Sequence, residues 1–300
     1  MNKLVIFCKS YAKDMWRARR MAASVQRYNE DHIPLYISVP EQELSEFKSC
    51  FADIPCHFLT DQQILARCEA ANGERPWLFP GHLLQQLIKL EFWRMELCEN
   101  YVWIDSDAYF IRPFKITTFL HNGDVPYTVQ HDNRDLLNFA EQTGNRKIKT
   151  DFEDMATKFK ALFGRTGPLY SFASPPLIWG CKVLRNLNEV YLTATNQTIY
   201  KLLEDYPCEM HLYGEYLHYC QVIPLVAHRE LFKVYHYAEQ FFLGQEHGEA
   251  ELNLAEHYYG VIMQSNWAKL PDHPRPTDAR LKHFFRKAMR QTRDLFLPPA

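Results

Sequence analysis

From Lys3 to Cys8 the chain reads KLVIFC, a short apolar run rich in β-branched residues, and then AKDMWRARRMAASVQRYN, where apolar positions recur at helical spacing. The first pattern fits a buried strand and the second an amphipathic helix. This switch repeats down the first half of the chain. IPLYISVP (33–40) predicts a second strand, EQELSEFKSCF a helix, and CHFLT (56–60) a third strand. PGHLLQQLIKLEFWRMELCEN (80–100) predicts the clearest helix in the chain, with Leu83, Leu87, Leu90, Arg94 and Leu97 along one side and Asn100 as its stop. YVWID then predicts a fourth strand. Strands alternating with helices predict the α/β class, with a mostly parallel central sheet flanked by helices on both faces.

Beyond Phe114 the pattern loosens. DVPYTVQ (124–130) predicts another strand, and 132–167 is polar and helical, as expected of an insertion covering a cleft. SPPLIWG (174–180) predicts a strand, CKVLRNLNEVYLTATNQTIYKLLED one long helix, and CEMHLYGEYLHYC a further helix after Pro207. Later strands are expected at LFKVYHY (231–237) and GVIMQSN (260–266). The expected organisation is one domain over 1–275, with halves at 1–130 and 171–275, and a helical extension over 276–300. That extension sets Arg280, Lys282, Arg286, Lys287, Arg290 and Arg293 around Leu281, Phe284 and Phe285. A basic amphipathic helix suits peripheral contact with an anionic membrane face, or docking on the body with its charges in water.

Composition narrows the function classes. A chain of 300 residues, 47% hydrophobic, can bury a core without disulfide or metal staples. Its net charge of -2 argues against nucleic acid as partner, since that binding needs a strong positive field. No stretch approaches the roughly 18 apolar residues of a membrane span, and Leu4–Cys8 is too short for a signal-peptide core. The expected location is therefore the cytoplasm, at most peripheral on the inner membrane face. There the eight cysteines, with no C-x-x-C pair among them, would be reduced, most of them as small core residues.

The candidate chemistry centres on YVWIDSDAYFIRPF (101–114), which holds the chain's one Asp-X-Asp. So short a triplet recurs by chance, so its surroundings must carry the weight. Asp105 and Asp107, with Ser106 between them, follow an expected strand at the edge where open α/β sheets bind ligands. Carboxylates at such an edge suit Mg²⁺ or Mn²⁺, hard cations that bridge to phosphates; two solvated aspartates at a strand end are the simpler alternative. Gln85, Gln86 and Lys89 share a turn of the helix feeding this strand. CKSYAKD, after the first strand, brings Lys9, Ser10, Tyr11 and Asp14 to the same edge.

Together CKSYAKD, GHLLQQLIKLEFW and YVWIDSDAYFIRPF resemble the nucleotide-binding half of GT-A-type glycosyltransferases, most of all a bacterial family found with capsule and lipopolysaccharide genes. PPLIWGCKVL and EMHLYGEYL are similar to that family's acceptor side, whereas 132–170 and the chain after 240 depart from it. The resemblance implies a donor nucleotide sugar, UDP-linked by preference, and a surface glycan or lipid-linked saccharide as acceptor. It implies Asp105 and Asp107 as ligands of Mn²⁺ or Mg²⁺, Tyr11 and Asp14 on the nucleoside, and Lys89 on the sugar or a phosphate, with Gln86 and Ser106 also at the donor. A third metal ligand would be His236 or His228, though a histidine in an apolar strand is more often a core residue. An inverting enzyme of this type needs a carboxylate base at a helix start; Glu209 fits and Glu215 is the second choice, while a retaining enzyme needs neither. An inactive scaffold of the same shape is the main alternative. A dehalogenase-like phosphatase is disfavoured, because Ala108 follows the pair and GDVPYT puts Thr128 where that family has a later aspartate.

Overall fold

The computed structural model describes residues 1–73 and 79–265; the expected helix over 276–300 lies outside them. The chain runs through β1 (Asn2–Lys9), α1 (Met15–Tyr28), β2 (Leu35–Val39), α2 (Leu44–Cys50), β3 (His57–Thr60), α3 (Asp61–Asn72), α4 (Gly81–Glu91), β4 (Cys98–Trp103) and β5 (Ala108–Phe110). It continues through β6 (Leu120–His121), β7 (Val125–Val129), α5 (Arg134–Thr143), α6 (Arg146–Leu162), β8 (Leu177–Gly180), α7 (Cys181–Asn186), α8 (Ile199–Asp205) and α9 (Glu209–Cys220). β9 (Val226–His228), β10 (Phe232–Tyr235), α10 (Ala238–Glu246), α11 (Glu251–Leu254) and β11 (Gly260–Met263) complete it.

The central sheet has the order β3-β2-β1-β4-β8. Its strands are parallel except β8, which runs antiparallel to β4. Strand order reverses between β1 and β4, so a cleft opens beyond their carboxyl ends, where loops diverge to opposite faces. Both strands are buried through their middles, which explains their unbroken apolar runs. Phe7 of β1 stacks on Phe92 at 3.9 Å, Trp103 of β4 meets Trp179 of β8 edge-on at 5.4 Å, and Trp179 stacks on Tyr213 of α9 at 4.9 Å. These offset aromatic contacts fix α9 against the sheet. Immediately after β4 the chain leaves the sheet. β5 pairs antiparallel with β11, which pairs parallel with β10. β7 joins β6 and β9 in a third small sheet.

Two expected helices differ from the structure. The helix expected over 80–100 ends at Glu91, tightens into a 3-10 turn over Phe92–Met95, and stops at Glu96, whose φ is 55°. Burial of Phe92 and Trp93 and pairing of Cys98 with Asn2 draw the next residues into β4 instead. The long helix expected from Cys181 divides into α7, a π-helical stretch over Leu187–Leu192, and α8, whose cap Thr198 accepts the Lys201 N–H at 3.2 Å. Helix α3 was not expected, although Thr60 and Gln63 form a capping box at its start and Gly73, at φ 71°, ends it. The polar insertion is two helices, α5 and α6, with a small cluster of its own around Phe139, Ala140 and Ile148. Among the described residues no helix is long and apolar enough to cross a membrane.

Candidate functional site

Lys89 is the hub of the carboxyl edge. Its last-turn position on α4 turns the side chain inward over the indole of Trp103, 3.9 Å from the ring centre. From there Nζ donates to Asp105 Oδ1 at 2.8 Å and to Glu209 Oε1 at 3.2 Å. Burial opposes the charge, but the two carboxylates outweigh it and hold the ammonium above the ordinary lysine range. Lys89, expected to face a sugar or phosphate, here bridges Asp105 and Glu209.

Asp107 is buried, while the Asp105 carboxylate is 38% exposed. Oδ2 of Asp107 accepts the backbone N–H of Ser265 at 2.8 Å, and its carbonyl accepts that of Met263 at 3.2 Å, both through the β5–β11 pairing. Burial pushes the Asp107 carboxyl up to about 6, helped by the charge of Asp105 and, less, by that of Asp14. The two aspartates line a cavity of about 220 Å³ with Ala173, Pro175, Met210 and Gln264. Ser106 is buried between them.

The loop after β1 reaches the same edge. Asp14 is buried and accepts from Arg17 at 2.6 Å, whereas Tyr11 is exposed on the rim, its phenol pushed up by burial and by Asp14. Gln86 lies one turn before Lys89, its buried Oε1 without a hydrogen-bond partner among the described residues; Ser10 Oγ and Trp103 Nε1 are likewise buried and unpartnered among them. Lys9, Ser38 and Asp61 were not foreseen as a group: Asp61 accepts from Lys9 at 2.9 Å and from Ser38 at 2.7 Å, beneath the cleft. Gln264 and Ser265 were missed because strand pairing across 158 residues brings them in, and no local pattern announces that.

Other expected residues stand apart. Glu215 is fully buried, both oxygens taken by Arg165 at 2.5 and 2.6 Å. His236 Nδ1 pairs with the Gln264 amide at 3.1 Å, and burial pushes its ring down to about 4; its side chain lines a neighbouring cavity, not that of the aspartates. His228 contacts the Arg229 carbonyl at 2.7 Å. Among the described residues no three His, Cys, Asp or Glu side chains converge as a metal centre. Two carboxylates facing one cavity, one of them pushed up chiefly by burial and then by the other's charge, fit a hard divalent cation that keeps water and substrate oxygens for its remaining positions. Another cavity, of about 820 Å³, opens beside Met1, Cys98 and Arg185 at the opposite edge, away from the switch point.

This architecture is a GT-A-like α/β fold. Mouse xyloside xylosyltransferase 1, in its apo form, is similar to it with a TM-score of 0.50 and 10% identity, over 89% of this chain and 100% of that one. WbbM, a bifunctional glycosyltransferase, gives 0.51 at 8% identity over 88% of this chain; the chain spans 46% of WbbM's. At such identities the likeness is one of fold. The chain belongs to a family of unknown function, DUF6492, whose pattern matches residues 4–246. No curated protein matches the sequence.

Proposed function

We propose that the protein is a metal-dependent glycosyltransferase that moves a sugar from a nucleotide donor, a UDP-sugar by preference, to a glycan or lipid-linked saccharide. The observation that carries this reading is the Asp105–Asp107 pair at the β1/β4 switch point, facing a cavity and joined through Lys89 to Glu209. Asp105 and Asp107 would hold Mn²⁺ or Mg²⁺, which neutralises the charge that gathers on a departing diphosphate. The unpartnered Ser10 and Gln86 offer hydrogen bonds to the donor, and exposed Tyr11 offers a face on which a base can stack. Glu209 occupies the first turn of α9, with its Oε1 3.2 Å from Lys89 Nζ. It is our candidate for the base that takes the acceptor's proton. Glu215, saturated by Arg165, serves the packing of α9 in this reading.

A thermal-shift screen of nucleotide sugars tests it. A donor at a hundred times its Kd with Mn²⁺ should raise the melting temperature by about 5 °C, and Asp107→Ala should abolish the shift. If no nucleotide sugar stabilises the wild-type protein with either metal, the reading is wrong.

A further inference from the structure

The wall made by Ala173 and Pro175 has a second cavity behind it, of about 30 Å³, to which His131, Ser174, Glu230 and His236 all contribute. Ser174 is buried, and its Oγ lies 2.8 Å from His131 Nε2. His131 Nδ1 lies 2.8 Å from Glu230 Oε1. A ring nitrogen this close to a carboxylate must carry the proton between them, so Nδ1–H donates to Glu230 and Nε2 is left to accept the Ser174 hydroxyl. The Asn133 backbone N–H is aimed at the same Nδ1 at 3.1 Å, a bond that only the other tautomer accepts, and the shorter contact to the Glu230 carboxylate outweighs it. The bond from His131 holds the Glu230 carboxyl below its usual range.

Three chain segments converge to make this line. His131 follows β7, Glu230 follows β9 and Ser174 precedes β8. The backbones of His131 and Ser171 exchange hydrogen bonds at 3.2 and 2.8 Å, and Gln130 N–H reaches the His228 carbonyl at 3.2 Å. A nucleophile within hydrogen-bond reach of a base, itself oriented by a carboxylate, is the arrangement that activates a serine. A fourth part is present. The Gln264 amide can only donate to His236 Nδ1, so the His236 ring proton sits on Nε2, a hydrogen-bond donor without a protein partner among the described residues.

From this geometry we propose a second catalytic centre, in which Ser174 is a nucleophile toward small carboxylic esters of acetyl size, His131 its base, Glu230 the group that orients His131, and His236 the donor to the carbonyl oxygen. The size follows from the cavity, which has room for about two waters. Ser174 Oγ bonds to the acyl carbon while its proton passes to His131 Nε2. The ester C–O bond then breaks and the leaving alcohol takes that proton. Water attacks the acyl-serine, giving a proton to His131, and the proton returns to Ser174 as the carboxylic acid departs. This centre is independent of the glycosyl-transfer reading.

The test uses the full chain with 4-nitrophenyl acetate and, separately, a small-alkyl fluorophosphonate, read by 4-nitrophenolate release and by peptide mass. We expect one adduct, on Ser174. Ser174→Ala and His131→Gln should each lower turnover about 100-fold, to the same floor, because groups acting as a unit are not additive. Lys182→Ala, at the opposite edge of the sheet, should leave turnover unchanged. Absence of an adduct at Ser174 in the folded wild-type protein overturns the proposal, as does wild-type turnover by a folded Ser174→Ala variant. The wild-type labelling decides the matter even if a substitution prevents folding.

Discussion

Lys89 and Glu209, 120 residues apart in the chain, meet at 3.2 Å with both side chains almost wholly out of water. Removing one partner of such a pair strands the other charge. Lys89→Met should therefore cost about 3 kcal/mol, set mainly by Glu209, because the more exposed Asp105 is relieved by solvent. Lysine stabilisation of this kind is complete below the unfolded pKa and is lost as pH rises through the raised folded value. The gap between wild type and variant should hold across neutral pH and close only above about pH 10.4. Urea melts at pH 7 and at high pH measure both; a gap below 1 kcal/mol at pH 7 would refute the argument.

Asp107 has the opposite sign. Its carboxyl rises from 3.8 to about 6 on folding, so the folded state binds more protons than the unfolded state between those values. Stability should fall as pH rises through that window and stay lowered above it. Asp107→Asn removes the penalty and still accepts from Ser265, so at pH 7 the variant should be more stable by up to about 3 kcal/mol. It should also fail to bind Mn²⁺. Wild-type Mn²⁺ affinity should weaken below pH 6, where the metal must displace a proton. Isothermal titration against pH checks this, and pH-independent affinity would exclude Asp107 as a ligand.

Glu215 separates packing from chemistry. With both oxygens on Arg165 and none of its surface exposed, Glu215→Gln should lose about 3 kcal/mol of stability. Nucleotide-sugar binding by the folded fraction should survive. Loss of binding at unchanged stability would assign Glu215 to the site instead.

At Gly214 a β-carbon would fall 2.2 Å from the buried ring of Phe172. Alanine normally favours a helix over glycine, yet Gly214→Ala should destabilise by about 1–3 kcal/mol, because α9 must move off Phe172. A variant as stable as wild type by thermal melt would show that this contact is slack.

Much of this was legible in the sequence because it is local. The apolar runs of β1 and β4 and the stripe of Leu83, Leu87 and Leu90 announced strands and a helix, and their alternation placed Asp105 and Asp107 at a strand end. Position along a strand also brought Tyr11 and Asp14 to the right edge. What one residue does for another across the fold was not legible. Lys89 read as a solvated or ligand-facing cation until Glu209 and Trp103 enclosed it, and His131, Ser174 and Glu230 lie too far apart in sequence to suggest a line of hydrogen bonds. The helix read through to Asn100 failed for a related reason: Leu97 keeps the helical period, but pairing with β1 claims the chain from Cys98 onward.

The bond from Ser265 to Asp107 carries a consequence for biosynthesis. β4 and the aspartates after it leave the ribosome early, yet β11, which closes over them, emerges more than 150 residues later. During that interval the nascent chain displays an acidic, half-built cleft, and ring closure between such distant segments comes late in folding. The two aspartates can therefore be closed over by β11 only once Ser265 has cleared the ribosome, so protection of this cleft should appear abruptly in nascent chains of increasing length.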